Sequence, residues 1–273
     1  MIKYILYITG LLGALILSSC EEVVDVNLDT APSKLVIDAS INWIKGTSGN
    51  IQKIKLSTTT GFFNTQIPTV SGAIIQITNS TNTVFNFVET PNPGEYTCIN
   101  FTPVIGETYV LTVINAGQTY TATEKMIGTP NIDTIEQRND AGFSGKDIEI
   151  KFYFKDNINE FNNYMTAFKI NTTVSPYYTV FDDEFFQGNQ SYQSYGNEDL
   201  AVGNQMTLEL YGISKSYLNY MSILLNVSQG QDGPWSTTPT DVRGNLINQT
   251  DAKNYALGYF RLSEVDQRNY TVQ

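Results

Sequence analysis

Tyr109-Val110-Leu111-Thr112-Val113-Ile114, then Asn115-Ala116-Gly117, then Gln118 to Lys125 is the clearest local signal in the chain. Two β-branched and aromatic runs flank a short turn that ends in glycine, which is the pattern of an antiparallel hairpin. Working outward, the same period of two recurs. Upstream, Ile51 to Ser57 sets Ile54 and Leu56 on one face and Lys53 and Lys55 on the other. Ala73 to Thr78 and Val84 to Val88 alternate likewise, joined by a turn at Asn79 to Asn82, and Pro91-Asn92-Pro93-Gly94 separates them from Tyr96 to Phe101. Leu35 to Trp43 opens the series. Short strands so closely spaced, with no helical period among them, predict an immunoglobulin-like β-sandwich over residues 28–127, without the cysteine pair of antibody domains. Met126 to Pro130 closes it and sets a domain boundary.

Downstream the pattern stays β-rich over residues 131–273. Ile148, Ile150, Phe152 and Phe154 alternate with Asp147, Glu149 and Lys151, and Tyr164 to Ile170 follows a turn region at Asn157 to Asn163. One segment changes period. Ile213, Tyr217, Leu218, Met221, Leu224 and Leu225 form a single apolar stripe at 3.6-residue spacing. With Ser214 as N-cap and Gly230 as stop, it predicts a helix near 214–229 that packs on the second sheet. Gly188 to Asn197 reads as loop, Gly230 to Asn254 as a long polar connection, and Tyr255 to Val265 as a central strand. The fold class expected is therefore all-β, mainly β with one helix.

The start of the chain gives its address. Met1-Ile2-Lys3 precedes an uncharged, largely apolar run from Tyr4 to Leu17. That run falls short of the roughly 20 residues a spanning helix needs, so it reads as a signal-peptide core over residues 1–19. No later apolar run is long enough to span. Leu17-Ser18-Ser19-Cys20 resembles the bacterial lipobox, which implies cleavage before an acylated Cys20. Lasting attachment needs more than one acyl chain, and a lipobox supplies them. Glu21, Glu22 and Asp25 begin an acidic tether over residues 20–27 and are similar to the signal that exports Bacteroidetes lipoproteins to the cell surface. The rival reading of this charge run is a solvated tether alone.

Composition narrows the chemistry. The formal net charge is −11, from 16 basic and 27 acidic side chains. That balance argues against nucleic acid, whose binding rests on basic patches. Histidine is absent, which removes Ser-His-Asp and Cys-His catalysis and the commonest transition-metal ligand. With Cys20 acylated, Cys98 has no partner for a disulfide, and its alternating surroundings place it in the core. No cofactor is expected.

Two clusters invite a functional reading. Tyr177, Tyr178, Phe181, Phe185, Phe186, Tyr192 and Tyr195 crowd one stretch, with Asp182-Asp183-Glu184 in its middle. The aromatics read as core packing, as a partner or ligand surface, or as a platform for stacking sugars. Asp182 and Glu184 read as a solvated acidic loop, as oxygen ligands for calcium, or as the paired carboxylates of a glycan-acting enzyme.

Several segments together resemble the DUF4249 family of Bacteroidetes outer-membrane lipoproteins. They are Cys20 to Val26, Leu35 to Ile41, Val70-Ser71-Gly72-Ala73, Pro93-Gly94-Glu95-Tyr96, Ile105 to Tyr109 with Leu111, and Gly244 to Ile247 leading to Leu257-Gly258-Tyr259-Phe260. The resemblance implies a surface accessory of a TonB-dependent outer-membrane receptor that is held to the membrane by its lipid alone. It attaches no catalytic residues. Asp29-Thr30-Ala31 and Asp133-Thr134-Ile135 are similar to the O-glycan acceptor triplet of exported Bacteroidetes proteins, which makes Thr30 and Thr134 candidate modification sites. A non-enzymatic receptor partner is the leading expectation. A surface adhesion or matrix protein and a glycan-acting enzyme are the alternatives.

Overall fold

The computed structural model describes residues 32–61, 64–142, 145–228 and 241–273. Its first seven strands are β1 (Leu35–Ile44), β2 (Gln52–Thr58), β3 (Ile74–Asn79), β4 (Val84–Glu89), β5 (Glu95–Cys98), β6 (Thr108–Asn115) and β7 (Gln118–Lys125). They form two layers, β1-β2-β5 and β4-β3-β6-β7. The layers are joined because β4 changes partner along its length. Val84 to Phe87 pair with β3, whereas Val88 and Glu89 pair with β5. The alternating side chains of both layers meet in one core that includes Ile37, Ile54, Ile77, Tyr96, Tyr109 and Leu111. This is the expected immunoglobulin-type sandwich. Its hairpin turn sits where the sequence places it, with Ala116 and Gly117 at φ of 49° and 75°. Two successive positive φ values suit the right-handed twist of the flanking strands. Cys98 is buried in this core as a free thiol, and burial pushes its titration up.

The rest of the chain adds β8 (Ile132–Ala141), β9 (Asp147–Lys155), β10 (Asn163–Ile170), β11 (Tyr177–Asp182), β12 (Gln190–Asn197), β13 (Gln205–Ile213), the helix α1 (Lys215–Ser228), β14 (Ile247–Asn248) and β15 (Leu257–Thr271). Among the described residues α1 is neither long nor apolar enough to cross a membrane.

β15 is the hinge of the architecture. Its first part, Leu257 to Val265, runs parallel to β1, and Val265 to Thr271 runs antiparallel to β13. One sheet therefore continues from the sandwich through β15, β13 and β10 to the edge strand β11. Gly258, at φ 95°, is required where β15 meets β1, since a Cβ there would lie 2.1 Å from the Ile37 carbonyl oxygen.

The part formed by β10, β13 and β15 is covered on both faces. On one side lies the separate sheet β12-β9-β8, whose Ile150, Phe152 and Phe154 pack with Tyr164, Phe168, Leu208 and Leu210. On the other side α1 sets Tyr217, Leu218 and Met221 against Met165, Tyr211, Tyr259 and Val265. The Ser214 hydroxyl accepts the Tyr217 amide at 3.2 Å, which is the expected N-cap. The expected stop, Gly230, lies outside the described residues. Ile213 is not part of the helix but the last residue of β13.

Three sequence expectations need correction. Residues 190–197 are not loop but the strand β12, paired along its length with β9. The connection before β15 is not wholly irregular, because Ile247 and Asn248 pair with β7 and Leu246 and Ala256 join the sandwich core. The boundary at 128–130 divides neither the large sheet nor the sandwich core, which takes in Leu246, Ala256, Phe260 and Leu262 from beyond it, and residues 33–273 form one compact unit.

Candidate functional site

Beyond β9 the chain turns back through residues 156–162, and beyond β11 through residues 183–189. These two loops are fastened to each other by carboxylates turned inward. Buried Asp156 accepts the Tyr164 hydroxyl and, at 2.8 Å, the Gly188 amide. Buried Asp183 accepts the Asn162 amide at 2.7 Å, and its own amide donates to the Asn162 carbonyl at 3.2 Å. Gly188 has φ 72°, and a Cβ on it would fall 2.6 Å from that of Ile158, so glycine alone permits this contact. Burial pushes the Asp183 carboxyl up, and the charge of Asp156 nearby acts in the same direction. A buried carboxylate is costly unless hydrogen-bonded, and here the bonds it receives go to loop backbone. The result is a stiff pair of loops.

Their tips face water with large apolar side chains. Phe185 is 93% exposed, Phe161 76% and Ile158 70%. Single exposed apolar residues are ordinary, and here three fall on two loops that hydrogen-bond to each other.

The aromatic stretch is divided by the structure. Phe181, Phe186 and Tyr195 pack against the second core, and Tyr178 packs against the helix-side core. Phe181 lies 5.6 Å from Tyr164 between ring centroids, and Tyr195 lies 5.7 Å from Phe168. Tyr177, Tyr192 and Phe185 are exposed. Of these, Tyr192 lies along Tyr153 with the Lys151 ammonium 4.9 Å from its ring, and Tyr177 edges onto Tyr195. Phe161 and Ile158 are exposed on the neighbouring loop 156–162. Sequence reasoning missed both, because they sit in a polar run that reads only as turn.

The carboxylates do not gather as the sequence allowed. Asp182 ends β11 and pairs with Lys215 at 2.8 Å, which lowers its titration. Glu184 lies past the strand and is exposed, so the shared strand face does not exist. Among the described residues no group of three or more His, Cys, Asp and Glu is placed to hold a metal. Thr134 is exposed at a register shift between β8 and β9. Cys20, Glu21, Glu22, Asp25 and Thr30 lie outside the described residues.

Beside the clamped loops lies a cleft of about 650 Å³. It is lined by residues 105–106 and 124–130 at the end of the sandwich, by Lys155, Asn157 and residues 160–164, and by Ile213, Ser214, Lys215 and Glu264. The segment 124–130 is zipped to β15, with the Glu264 amide donating to the Ile127 carbonyl at 2.8 Å. Gly212 admits it, since a Cβ there would lie 1.9 Å from the Gly128 carbonyl oxygen. Glu264 accepts the Thr129 amide at 3.0 Å and pairs with Lys45 at 3.6 Å. Glu124 accepts the hydroxyls of Ser214 and Tyr259 at 3.0 and 3.2 Å.

The architecture and this geometry define a mainly β protein, a sandwich continued into a helix-backed sheet, with a cleft and an apolar loop pair near their junction. The chain belongs to the DUF4249 family, described as a domain of unknown function, whose model matches residues 21–269. No curated protein matches the chain significantly. Among solved structures, a two-domain fibronectin type III segment of chicken tenascin is similar at 8% identity and a TM-score of 0.22, over 59% of this chain and 83% of that one. Chicken CNTN1 domains FN1–FN3 are similar at 13% identity and a TM-score of 0.22, over 60% and 56%. A DUF4785 family protein of Legionella pneumophila is similar at 8% identity and a TM-score of 0.27, over 65% and 52%.

Proposed function

We propose that this chain is a non-enzymatic lipoprotein of the outer membrane, exposed at the cell surface through an acylated Cys20, that serves as accessory to a TonB-dependent receptor. The observation that carries the reading is Leu17-Ser18-Ser19-Cys20 followed at once by Glu21-Glu22, a lipid attachment signal with an acidic export signal behind it. The apolar tips Ile158, Phe161 and Phe185 support it. Two buried carboxylates hold the loops that present these side chains to water, and a partner that covers them removes apolar surface from solvent.

Co-purification tests the reading. The receptor, identified by mass spectrometry, is expected to stay with the wild-type protein when outer membranes are solubilised in mild detergent. Phe161→Ser with Phe185→Asp is expected to lose it with no fall in melting temperature, because both rings are exposed already. Wild-type protein that comes away with no receptor contradicts the reading.

A further inference from the structure

A sheet edge invites pairing, because its outward N–H and C=O groups lack a neighbouring strand. The sheets have four edges among the described residues, β11 and β14 in the large one and β12 and β8 in the small one. Two are blunted. β14 is only two residues long, and β8 is broken by two register shifts and carries Glu136, Arg138 and Asp140.

β12 has neither device. It pairs with β9 over all eight residues without a shift, and it contains no charged residue and no proline. Among the described residues, only its Asn197 carbonyl bonds backbone outside that pairing, accepting the Leu200 amide at 3.1 Å. Tyr192 on this strand is 51% exposed. The large sheet's open edge β11 lies beside it, with the rings of Tyr177 and Tyr195 5.4 Å apart, and Tyr177 is also exposed.

The charges at the two ends of β12 decide what fits there. Lys155 stands opposite Gln190 at its start, and exposed Glu198 and Asp199 follow its end. None of these three forms an ion pair among the described residues. Glu149 and Lys151, the other charged residues of β9 opposite β12, pair with each other at 3.3 Å. An antiparallel strand with the same layout brings its carboxylates toward Lys155 and its lysine toward Glu198 and Asp199. A parallel one sets like charges together. A second copy of this chain, turned about a twofold axis normal to the sheet, has the antiparallel layout and gains each contact twice. The net charge of −11 opposes association in general, but β12 itself carries none of it.

We propose that two copies of this chain join edge to edge through antiparallel β12 strands, so that the small sheet runs unbroken across the twofold axis. The proposal goes beyond the receptor reading and does not rest on it.

Single cysteines at each position from 190 to 197 of the full chain, oxidised mildly in intact cells, test it. Directly opposed residues of antiparallel strands have Cα atoms roughly 4.5–5.5 Å apart, within disulfide reach. A disulfide-linked dimer is expected at a few positions near the axis and not at Asn139→Cys, exposed on the far edge β8. Cys98 is buried and does not compete. The detergent-solubilised wild-type chain is expected to have the mass of two copies. Ser194→Glu, which faces Lys151 within its own chain but repels its twin near the axis, is expected to weaken the dimer by about tenfold or more. Ser194→Thr should keep it. Absence of any cross-link from 190 to 197 overturns the proposal, as does equal yield at Asn139→Cys, a wild-type chain of single-copy mass, or a dimer that Ser194→Glu leaves at full strength.

Discussion

The Tyr109 hydroxyl donates to the carbonyl of Thr102 at 2.8 Å and accepts the Val104 amide at 3.0 Å. Tyr109 stands near the start of β6, just past the corner between the two layers, and its ring is wholly buried. This is the tyrosine corner of immunoglobulin-type sandwiches, in which one phenol fixes the crossing loop to the core. Tyr109→Phe leaves the ring in place and strands both backbone partners. A loss of about 2 kcal/mol in urea unfolding is expected, with the native fold retained. Unchanged stability would mean that water replaces the phenol at no cost.

Ala116 occupies a left-handed turn position at φ 49° with its side chain in solvent. An L-residue with a Cβ is strained there, whereas asparagine and glycine tolerate it. Ala116→Asn is expected to raise stability by about 0.5–1 kcal/mol, read as a higher urea midpoint with the same slope. A lower midpoint would refute the turn geometry.

Asp183 should make stability depend on pH. Its carboxyl is raised above the usual carboxylate range, first by burial and then by the charge of Asp156. It takes up a proton more readily folded than unfolded. The stability it contributes is full below the unfolded carboxylate value and is lost as pH rises through the raised folded value. Asp183→Asn keeps an acceptor for the Asn162 amide and removes the charge. At neutral pH a gain on the order of 1 kcal/mol is expected, about 2–4 °C in melting temperature for a chain of this size. The gain should shrink as pH falls through the carboxylate range. An equal gain at both ends of that range would place the effect elsewhere.

The loop patch gives a graded expectation. Asp156 bonds Tyr164 and Gly188 but does not reach the surface that Phe185 presents. Asp156→Ala is expected to cost about 2–3 kcal/mol, because the Tyr164 hydroxyl and the Gly188 amide lose their acceptor. It should also weaken receptor co-purification through a loosened loop. Full co-purification with that stability loss would show that the loops need not be stiff.

Legibility followed where the hydrogen bonds fall in sequence. The hairpin of β6 and β7 was readable because its alternation and its Ala116-Gly117 turn are local. The helix was readable because Tyr217, Leu218 and Met221 share one face. β12 was missed because Gln190 to Asn197 is rich in Ser, Gln, Asn and Gly, the composition of a loop, and its strand form depends on pairing with β9. β8 went unread because it buries only Ile132 fully and so shows no alternation. β13 is buried on both faces, with Glu209 inside and paired to Lys169, so its later residues Leu210 to Ile213 show no solvent side, and Ile213 was absorbed into the helical stripe. The parallel pairing of β1 with β15 joins residues 219 apart where Arg261 donates to Asn42, and no local pattern encodes it. The candidate site was half legible for the same reason. Phe185 stood out among aromatics, whereas Phe161 and Ile158 lie in a polar turn whose place beside the second loop depends on the bonds of Asp156 and Asp183.

A photo-activated cross-linker placed at position 185 of the full chain in living cells tests the central claim most directly. The account predicts a covalent adduct with a TonB-dependent receptor at the outer membrane, lost when Cys20→Ala removes the lipid. Absence of that adduct from intact cells, or its persistence in a Cys20→Ala chain free in the periplasm, would contradict it.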